Sequence, residues 1–464
     1  MTTFDLLIRN AVIPQDGTDS PEPRTIATRA GRIAAIAGRD EDLGSATRTL
    51  DAEGRWVIPG AIDSHTHIGQ LAPEFSHLPG MSEADNYTYE TRAAIAGGCT
   101  TALNYAPFGQ GSVVEAYQSG VAAATAQSRM NVLFHGYVMN DKQLAELPDA
   151  VAAGMRTFKM FMPYRGAEAC ALGGIGSLDH AQLRLAFQAI AAHGCQALVH
   201  AEDGDIVAHC TAEETRAGMP DLESYERGRP VEAEGDATWT ALYLAERAGC
   251  PVSIVHVSSL EAIRARRALG YPAASLESCP HYMLLHTGLP IGPAGKVAPP
   301  LRGPELADQI TSAVLAGEID FFGSDHNVWP AEAKPNLIDG RAGLPGVGLL
   351  LPLLLSHLVF EHGLSMSRAV ALTSTNAARK FGLTGKGRVA VGADADLVVL
   401  DTGRRIIRAQ DLHSAVDYSP YEGMELRAWS HATVLGGRVV YAGGEFVGDD
   451  VRGEILNHRY TTAA

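Results

Sequence analysis

His65 and His67 stand two apart in "GAIDSHTHIG", directly after an apolar run. Residues i and i+2 of a strand face the same side, so both imidazoles can reach one metal ion. Further candidates end later apolar runs: Lys159 in "TFKMFMPY", His200 in "LVHAED", His256 in "IVHVSS" and Asp325 in "GSDHN". Each has an ordinary explanation when taken alone. A strand-end histidine is usually a satisfied polar residue, a lysine between Phe158 and Met160 can reach water from an edge, and an aspartate can cap a helix. Taken together, four imidazoles, an amine and a carboxylate, all placed alike, read as a metal site.

Lysine is the unexpected member of that set. A protonated amine, with an ordinary pKa of about 10.4, repels a cation. The neutral amine can add carbon dioxide to give a carbamate, whose two oxygens can bridge two ions. The set then divides into His65, His67 and Asp325 on one ion and His200 and His256 on the other, with the Lys159 carbamate shared. Two divalent ions, less a carbamate, a carboxylate and a bridging hydroxide, leave one net positive charge to stabilise an oxyanion.

Such residues need a scaffold that brings strand ends together. Strand-like runs recur near residues 60, 103, 135, 159, 199, 255, 277 and 323, with helical patterns between them such as "HAQLRLAFQAIAAHG" and "ATWTALYLAERAG". Several of these helices end in Gly, a common C-terminal signal. Eight β-then-α units predict an α/β fold, the (β/α)8 TIM barrel, whose chemistry lies at the C-terminal ends of the strands. An open doubly wound sheet is the rival, weakened because no G-x-G-x-x-G follows the first strand. Both chain ends read as short strands with turns, and both carry a Gly-Arg-(Ile/Val) opener at Gly31 and Gly437. A small β-sandwich built from both ends is expected, with residues 1–55 and 386–464 flanking a barrel over 56–385.

Bulk properties agree with an enzyme. The chain has 464 residues and a formal net charge of −16, spread without long runs of one sign. That balance argues against nucleic-acid or anionic-membrane partners. Six cysteines form no C-x-x-C pair, so neither a zinc ribbon nor a disulfide scaffold is expected. The N-terminus reads as no secretory signal. The apolar stretch "LPGVGLLLPLLLSHLVF" is broken by Gly, Pro and His and reads as a buried helix start. A cytoplasmic setting is expected.

The motifs "PGAIDSHTHI", "TRAAIAGGCTT", "FKMFMPYRG", "HAEDGD", "GRPVEAEGDAT", "ESCPHY", "VAPPLR", "GSDH" and "VDYSPYEG" resemble the cyclic amidohydrolases of the amidohydrolase superfamily, most of all the hydantoinase/dihydropyrimidinase branch. The resemblance spans nearly the whole chain. It implies hydrolytic opening of a hydantoin or dihydropyrimidine by a hydroxide bridging two metal ions, with Asp325 as general base. It also implies two divalent ions, zinc being the expected metal, N6-carboxylation of Lys159, and a homotetramer or homodimer. Tyr164 matches the family's tyrosine that donates a hydrogen bond to the developing oxyanion, and Ser278 matches a residue that holds the ring's amide edges. Leu71 and Phe75, in the loop after the first barrel strand, either line a pocket for a ring substituent or pack the loop down.

Departures from the branch bear on substrate. Gly69 stands where dihydroorotases and allantoinases carry an arginine, which argues against a carboxylate-bearing ring. His281 in "CPHY" is closer to allantoinases, and Ala342 stands where hydantoinases have asparagine. An allantoinase or another cyclic-amide hydrolase is therefore the alternative reading. A non-catalytic dihydropyrimidinase-like scaffold protein is a remoter one, since such proteins lose ligands that this chain keeps.

Overall fold

The computed structural model describes all residues except 1, 2, 16–21, 39, 40, 71, 72, 110, 166–168, 170–175, 449 and 459–464. Strands β1 (Phe4–Ala11), β2 (Arg24–Arg29), β3 (Arg32–Gly38) and β4 (Ala46–Asp51) form one sheet in the order β3-β2-β1-β4. After β5 (Val57–Pro59) come the eight expected barrel strands. These are β6 (Ala61–Thr66), β7 (Cys99–Tyr105), β8 (Asn131–Tyr137), β9 (Thr157–Phe161), β10 (Gln196–His200), β11 (Val252–Ile254), β12 (Ala274–Ser278) and β13 (Phe321–Phe322). They pair in chain order, all parallel. A parallel bridge from Thr66 to His326 brings the last strand round to the first.

All eight strands are buried along their whole length, as a parallel sheet covered by helices requires. Alternation still sorts the side chains. Leu103 and Tyr105 of β7, Leu133 and Tyr137 of β8 and Phe161 of β9 pack together inside the barrel. Val132, Phe134, Phe158 and Met160 join the layer under the helices. Lys159 shares the parity of Phe161 and therefore faces inward. In β6 the alternation is reset: Ile62 is an interior residue, and His65 three positions on faces the interior too. The pairing of β6 with β7 slips between Asp63 and Thr66, and such a bulge re-aims the side chains beyond it.

The helices begin and end where local chemistry dictates. Asp179 makes a capping box for His180–Ala192, and Asp203 caps Gly204–Arg216 directly after β10. Helix Val231–Ala248 stops at Gly249 in the left-handed conformation. The apolar run near residue 350 is a buried helix, Leu350–Leu354, that continues as a π-helical segment over Leu355–Glu361. Among the described residues no helix is long and apolar enough to cross a membrane.

Strands β14 (Leu397–Asp401), β15 (Arg405–Ile406), β16 (Glu425–Leu426), β17 (Trp429–Leu435), β18 (Arg438–Ala442) and β19 (Glu445–Phe446) complete the chain. β5 joins them in the order β19-β18-β17-β14-β5, and β15 pairs with β16. Leu6, Ile8, Ile26 and Ile33 from the N-terminal sheet share one core with Val57, Leu397, Val399 and Val434, so both chain ends build a single β unit. The two similar openers meet there. The Ala395 N–H donates to the Gly31 carbonyl at 2.8 Å, and its own carbonyl accepts from the Gly437 N–H at 2.9 Å.

Asp396 ties this unit to the barrel. Its carboxylate accepts from Lys386 Nζ at 2.5 Å, Asn131 Nδ2 at 2.9 Å and the Gly436 N–H at 2.8 Å, and its carbonyl accepts from the Gly60 N–H at 2.9 Å. Asp396→Ala would leave Lys386 and Asn131 buried with a partner missing. It should lower stability by about 3 kcal/mol, read as a fall in the urea unfolding midpoint.

Candidate active site

His65 lies in β6 and His67 one residue past its end. Lys159 is the middle residue of β9, paired with Leu198, and His200 ends β10. His256 lies two residues past β11 and Asp325 three past β13. Both have left-handed backbones, with φ of 43° and 51°. Such a conformation costs a non-glycine residue about 1 kcal/mol or more and recurs at functional sites. All six side chains, with Tyr164, line a single cavity of about 440 Å³ at the C-terminal mouth of the barrel.

His65, His67 and Asp325 form one close group, and Lys159 lies against His256, which meets His200. His65 Nε2 and His67 Nε2 are each 3.3 Å from Asp325 Oδ1, and the three donor atoms lie within 4.8 Å of one another. The rings of His200 and His256 meet edge to face at 4.4 Å. Lys159 Nζ is 3.4 Å from His256 Nε2 and lies over the rings of Tyr105 and Phe161 at 5.1 and 5.4 Å.

Carboxylates and an amide behind the cavity fix how the imidazoles point. Glu277 Oε1 lies 2.7 Å from His65 Nδ1 and Glu202 Oε2 lies 2.6 Å from His200 Nε2. Each carboxylate takes the N–H of its ring and leaves the other nitrogen's lone pair for the cavity. Gln70 Oε1 is 3.3 Å from His67 Nδ1. Burial pushes the pKa values of His65 and His256 well below the usual imidazole range and that of His200 down to about 4. Neutral imidazoles are the form that ligates metal. Burial also pushes the Lys159 amine down, toward the neutral form that can react with carbon dioxide.

The donor set fits divalent cations. His65 Nε2 is buried without a hydrogen bond among the described residues, with Asp325 Oδ1 at 3.3 Å. Nitrogen and oxygen donors facing one point, with neutral rings and a carboxylate, are what zinc and similar ions take.

A second buried layer explains two of the branch-specific motifs. Arg229 grips Glu202 with Nη2 on Oε2 at 2.6 Å and Nε on Oε1 at 3.1 Å. Although burial opposes it, Arg229 and His200 hold the Glu202 carboxyl down to about 2. Arg302 donates to the Arg229 carbonyl and to Ser258 Oγ, and Ser258 in turn donates to Glu234 at 2.7 Å. "HAED" and "GRPVEAE" thus supply outer supports and no cavity-lining groups beyond His200.

The remaining expected residues divide. Tyr164 is half-buried on the cavity wall, edge to face with His200 at 5.5 Å. Gly69 is on the wall with φ of 81°, and a Cβ there would come within 2.6 Å of the Tyr87 ring. Phe75 is off the wall; it meets Trp329 edge-on at 6.5 Å and packs with Leu78, Met81 and Val328. Ser278 is fully buried and off the wall, its Oγ donating to the Val257 carbonyl at 2.7 Å. Leu71 lies outside the described residues. The wall instead includes Gln70, Phe108, Tyr137, Phe161, Asn327 and Arg341, with Ala298 and Ala342 as small members. Of the residues that sequence reasoning missed, Glu202 had a signal: it is two positions after His200, the spacing that returns a side chain to the same face.

Residues 56–440 match the model of the Amidohydrolase family. The allantoinase of Rubrobacter xylanophilus is 33% identical over 460 residues, covering 96% of each chain. A D-hydantoinase structure superposes with a TM-score of 0.88 at 29% identity, covering 98% of this chain and 99% of that one. The dihydropyrimidinase from Brevibacillus agri gives a TM-score of 0.87 at 28% identity, covering 98% and 99%. With this barrel, this cluster of imidazoles and these relatives, the chain belongs to the amidohydrolase family, in its cyclic amidohydrolase group.

Proposed function

We propose that the chain hydrolyses a ring amide of a hydantoin or a dihydropyrimidine. The observation that carries this reading is the convergence of five ligand-type side chains and Tyr164 on one cavity around a buried lysine. His65, His67 and Asp325 would hold one ion, His200 and His256 the other, and the carbamate of Lys159 both. Zinc is the expected metal. When bound, the ions supply Lewis acidity and hydroxide at neutral pH.

The chain's own groups do the rest. Asp325 takes the proton from the attacking water and passes it to the ring nitrogen as the C–N bond breaks, so one carboxylate serves as base and then as acid. The Tyr164 hydroxyl donates a hydrogen bond to the carbonyl oxygen as negative charge builds there; one such donor contributes about 3 kcal/mol. The Gln70 amide donates to the Tyr105 and Ala106 carbonyls at 2.9 and 3.0 Å, which fixes it behind His67. Phe108, Tyr137 and Phe161 exclude water from one side of the ring. Tyr87 behind Gly69 leaves no space for an arginine there, which favours an uncharged ring.

Allantoin hydrolysis is the second reading, favoured by the similarity to the Rubrobacter allantoinase. Allantoin is itself a substituted hydantoin, so the two readings share the ring and differ in its substituent. Metal-replete enzyme with bicarbonate, assayed on hydantoin, 5-substituted hydantoins, dihydrouracil and allantoin, separates them. Ring opening of a hydantoin or dihydrouracil above allantoin is expected; no turnover of any of the four would overturn both readings.

Two variants test the residue roles. Lys159→Ala should lose most activity and hold fewer ions per chain than wild type by elemental analysis. Wild-type turnover with the wild-type ion content would contradict the carbamate. Asp325→Asn should keep the fold by circular dichroism and lower kcat by about 100-fold or more. A fall of less than about tenfold would remove Asp325 as the base.

A further inference from the structure

Among the described residues, two groups of three histidine or acidic side chains bring their donor atoms within 4.8 Å of one another. One is His65, His67 and Asp325; the other is His357, Glu361 and His362. The second group takes no part in the chemistry above. It lies on the π-helical segment Leu355–Glu361 and the residue that caps it.

The backbone is what assembles it. The His362 N–H donates to the His357 carbonyl at 3.1 Å, an i→i+5 bond. This wider turn returns the residues four and five positions on to the face of His357, where a regular α-helix would return only the first. π-helical turns of this kind recur at functional sites. The His357 and His362 rings meet edge to face at 4.5 Å, and Glu361 Oε2 is 2.9 Å from His357 Nδ1.

His357 has the surroundings of an anchored ligand. It is 9% exposed, and its Nε2 is 3.1 Å from Thr311 Oγ1 on helix Pro304–Ala316. In one tautomer the ring donates Nδ1–H to Glu361 and accepts from the Thr311 hydroxyl at Nε2. In the other, with Nε2–H donated to Thr311, the Nδ1 lone pair and the Glu361 carboxylate face each other at 2.9 Å, and a cation can take the place of the proton between them. A hydrogen-bond partner on the non-ligating nitrogen is the usual support of a metal-bound imidazole. Glu361 and His362 are exposed, so an ion can reach the site from solvent.

We propose that His357, Glu361 and His362 form a separate binding site for one transition-metal dication. Two imidazoles and a carboxylate suit zinc, copper or nickel better than calcium or magnesium, which prefer oxygen. All three ligands come from one turn, so the ion braces that turn. The neighbouring Ser356 Oγ accepts the N–H groups of Arg427 and Ala428 at 3.0 and 3.2 Å, so the braced turn is one that holds the C-terminal segment.

The test is calorimetric titration of metal-replete enzyme with zinc chloride, with thermal melting alongside, on wild type, His362→Ala and Glu361→Gln. Both substitutions are at the surface and outside the catalytic cavity. Wild type should take up one further ion per chain and melt at a higher temperature with zinc. Each variant should bind that ion at least about tenfold more weakly, lose the zinc-dependent melting shift and keep wild-type turnover. Ions taken up elsewhere, including at the barrel mouth, are common to all three proteins and cancel. No further uptake by wild type, or equal affinity in wild type and both variants, would overturn the proposal.

Discussion

His65 is held between Glu277, 2.7 Å from its Nδ1, and Asp325, 3.3 Å from its Nε2. Much of the surrounding architecture can be read as support for that arrangement. Bringing four imidazoles, an amine and several carboxylates into a barrel mouth removes them from water, and an unmatched buried charge costs several kcal/mol. The protein answers with paired groups: Glu277 behind His65, Glu202 behind His200, and Arg229 gripping Glu202. The Ser64 hydroxyl supports Glu277 from the other side at 2.5 Å. Those partners aim the His65 and His200 rings, and burial pushes both toward the neutral form.

The segment after β13 couples this site to the rest of the chain. The His326 carbonyl accepts from the His67 N–H at 2.8 Å, so the residue after Asp325 also positions the end of β6. His326 Nδ1 accepts from the Gly346 and Val347 N–H groups, and its Nε2 lies 3.2 Å from Glu90. Glu90 in turn accepts from Ser414 Oγ and the Ala415 N–H. A chain of contacts thus leads from the His67 N–H through His326 and Glu90 to the C-terminal segment. The strained backbone at Asp325 is held by contacts on both sides.

Much of this was legible in the sequence. Parallel strands covered by helices are apolar throughout, so the eight runs stand out, and a polar residue at or just past the end of several is conspicuous. His200, His256 and Asp325 were visible for that reason, and Lys159 as the one charge within the apolar run of β9. The two-residue spacing of His65 and His67 indicated a shared side, though the slip in β6 that turns His65 inward has no sequence signal. Residues whose role depends on a partner distant in sequence were harder to read. Glu277 precedes Ser278 by one position and therefore faces oppositely; it is Glu277 that reaches His65, while Ser278 bonds the Val257 carbonyl. Phe75 suits a pocket or packing equally well in the sequence; in the structure it packs with Leu78, Met81 and Val328. Gly69 was read as a missing arginine, and the structure adds the reason that Tyr87 fills the space.

The central claim is that two ions share a carboxylated Lys159 between His65, His67 and Asp325 on one side and His200 and His256 on the other. Anomalous diffraction from crystals of zinc-loaded protein grown with bicarbonate tests it directly. The account predicts two strong peaks inside the barrel mouth, one at each group, with density for a carboxyl group extending from Lys159 Nζ to both. A single peak in the mouth beside an unmodified Lys159 would contradict it.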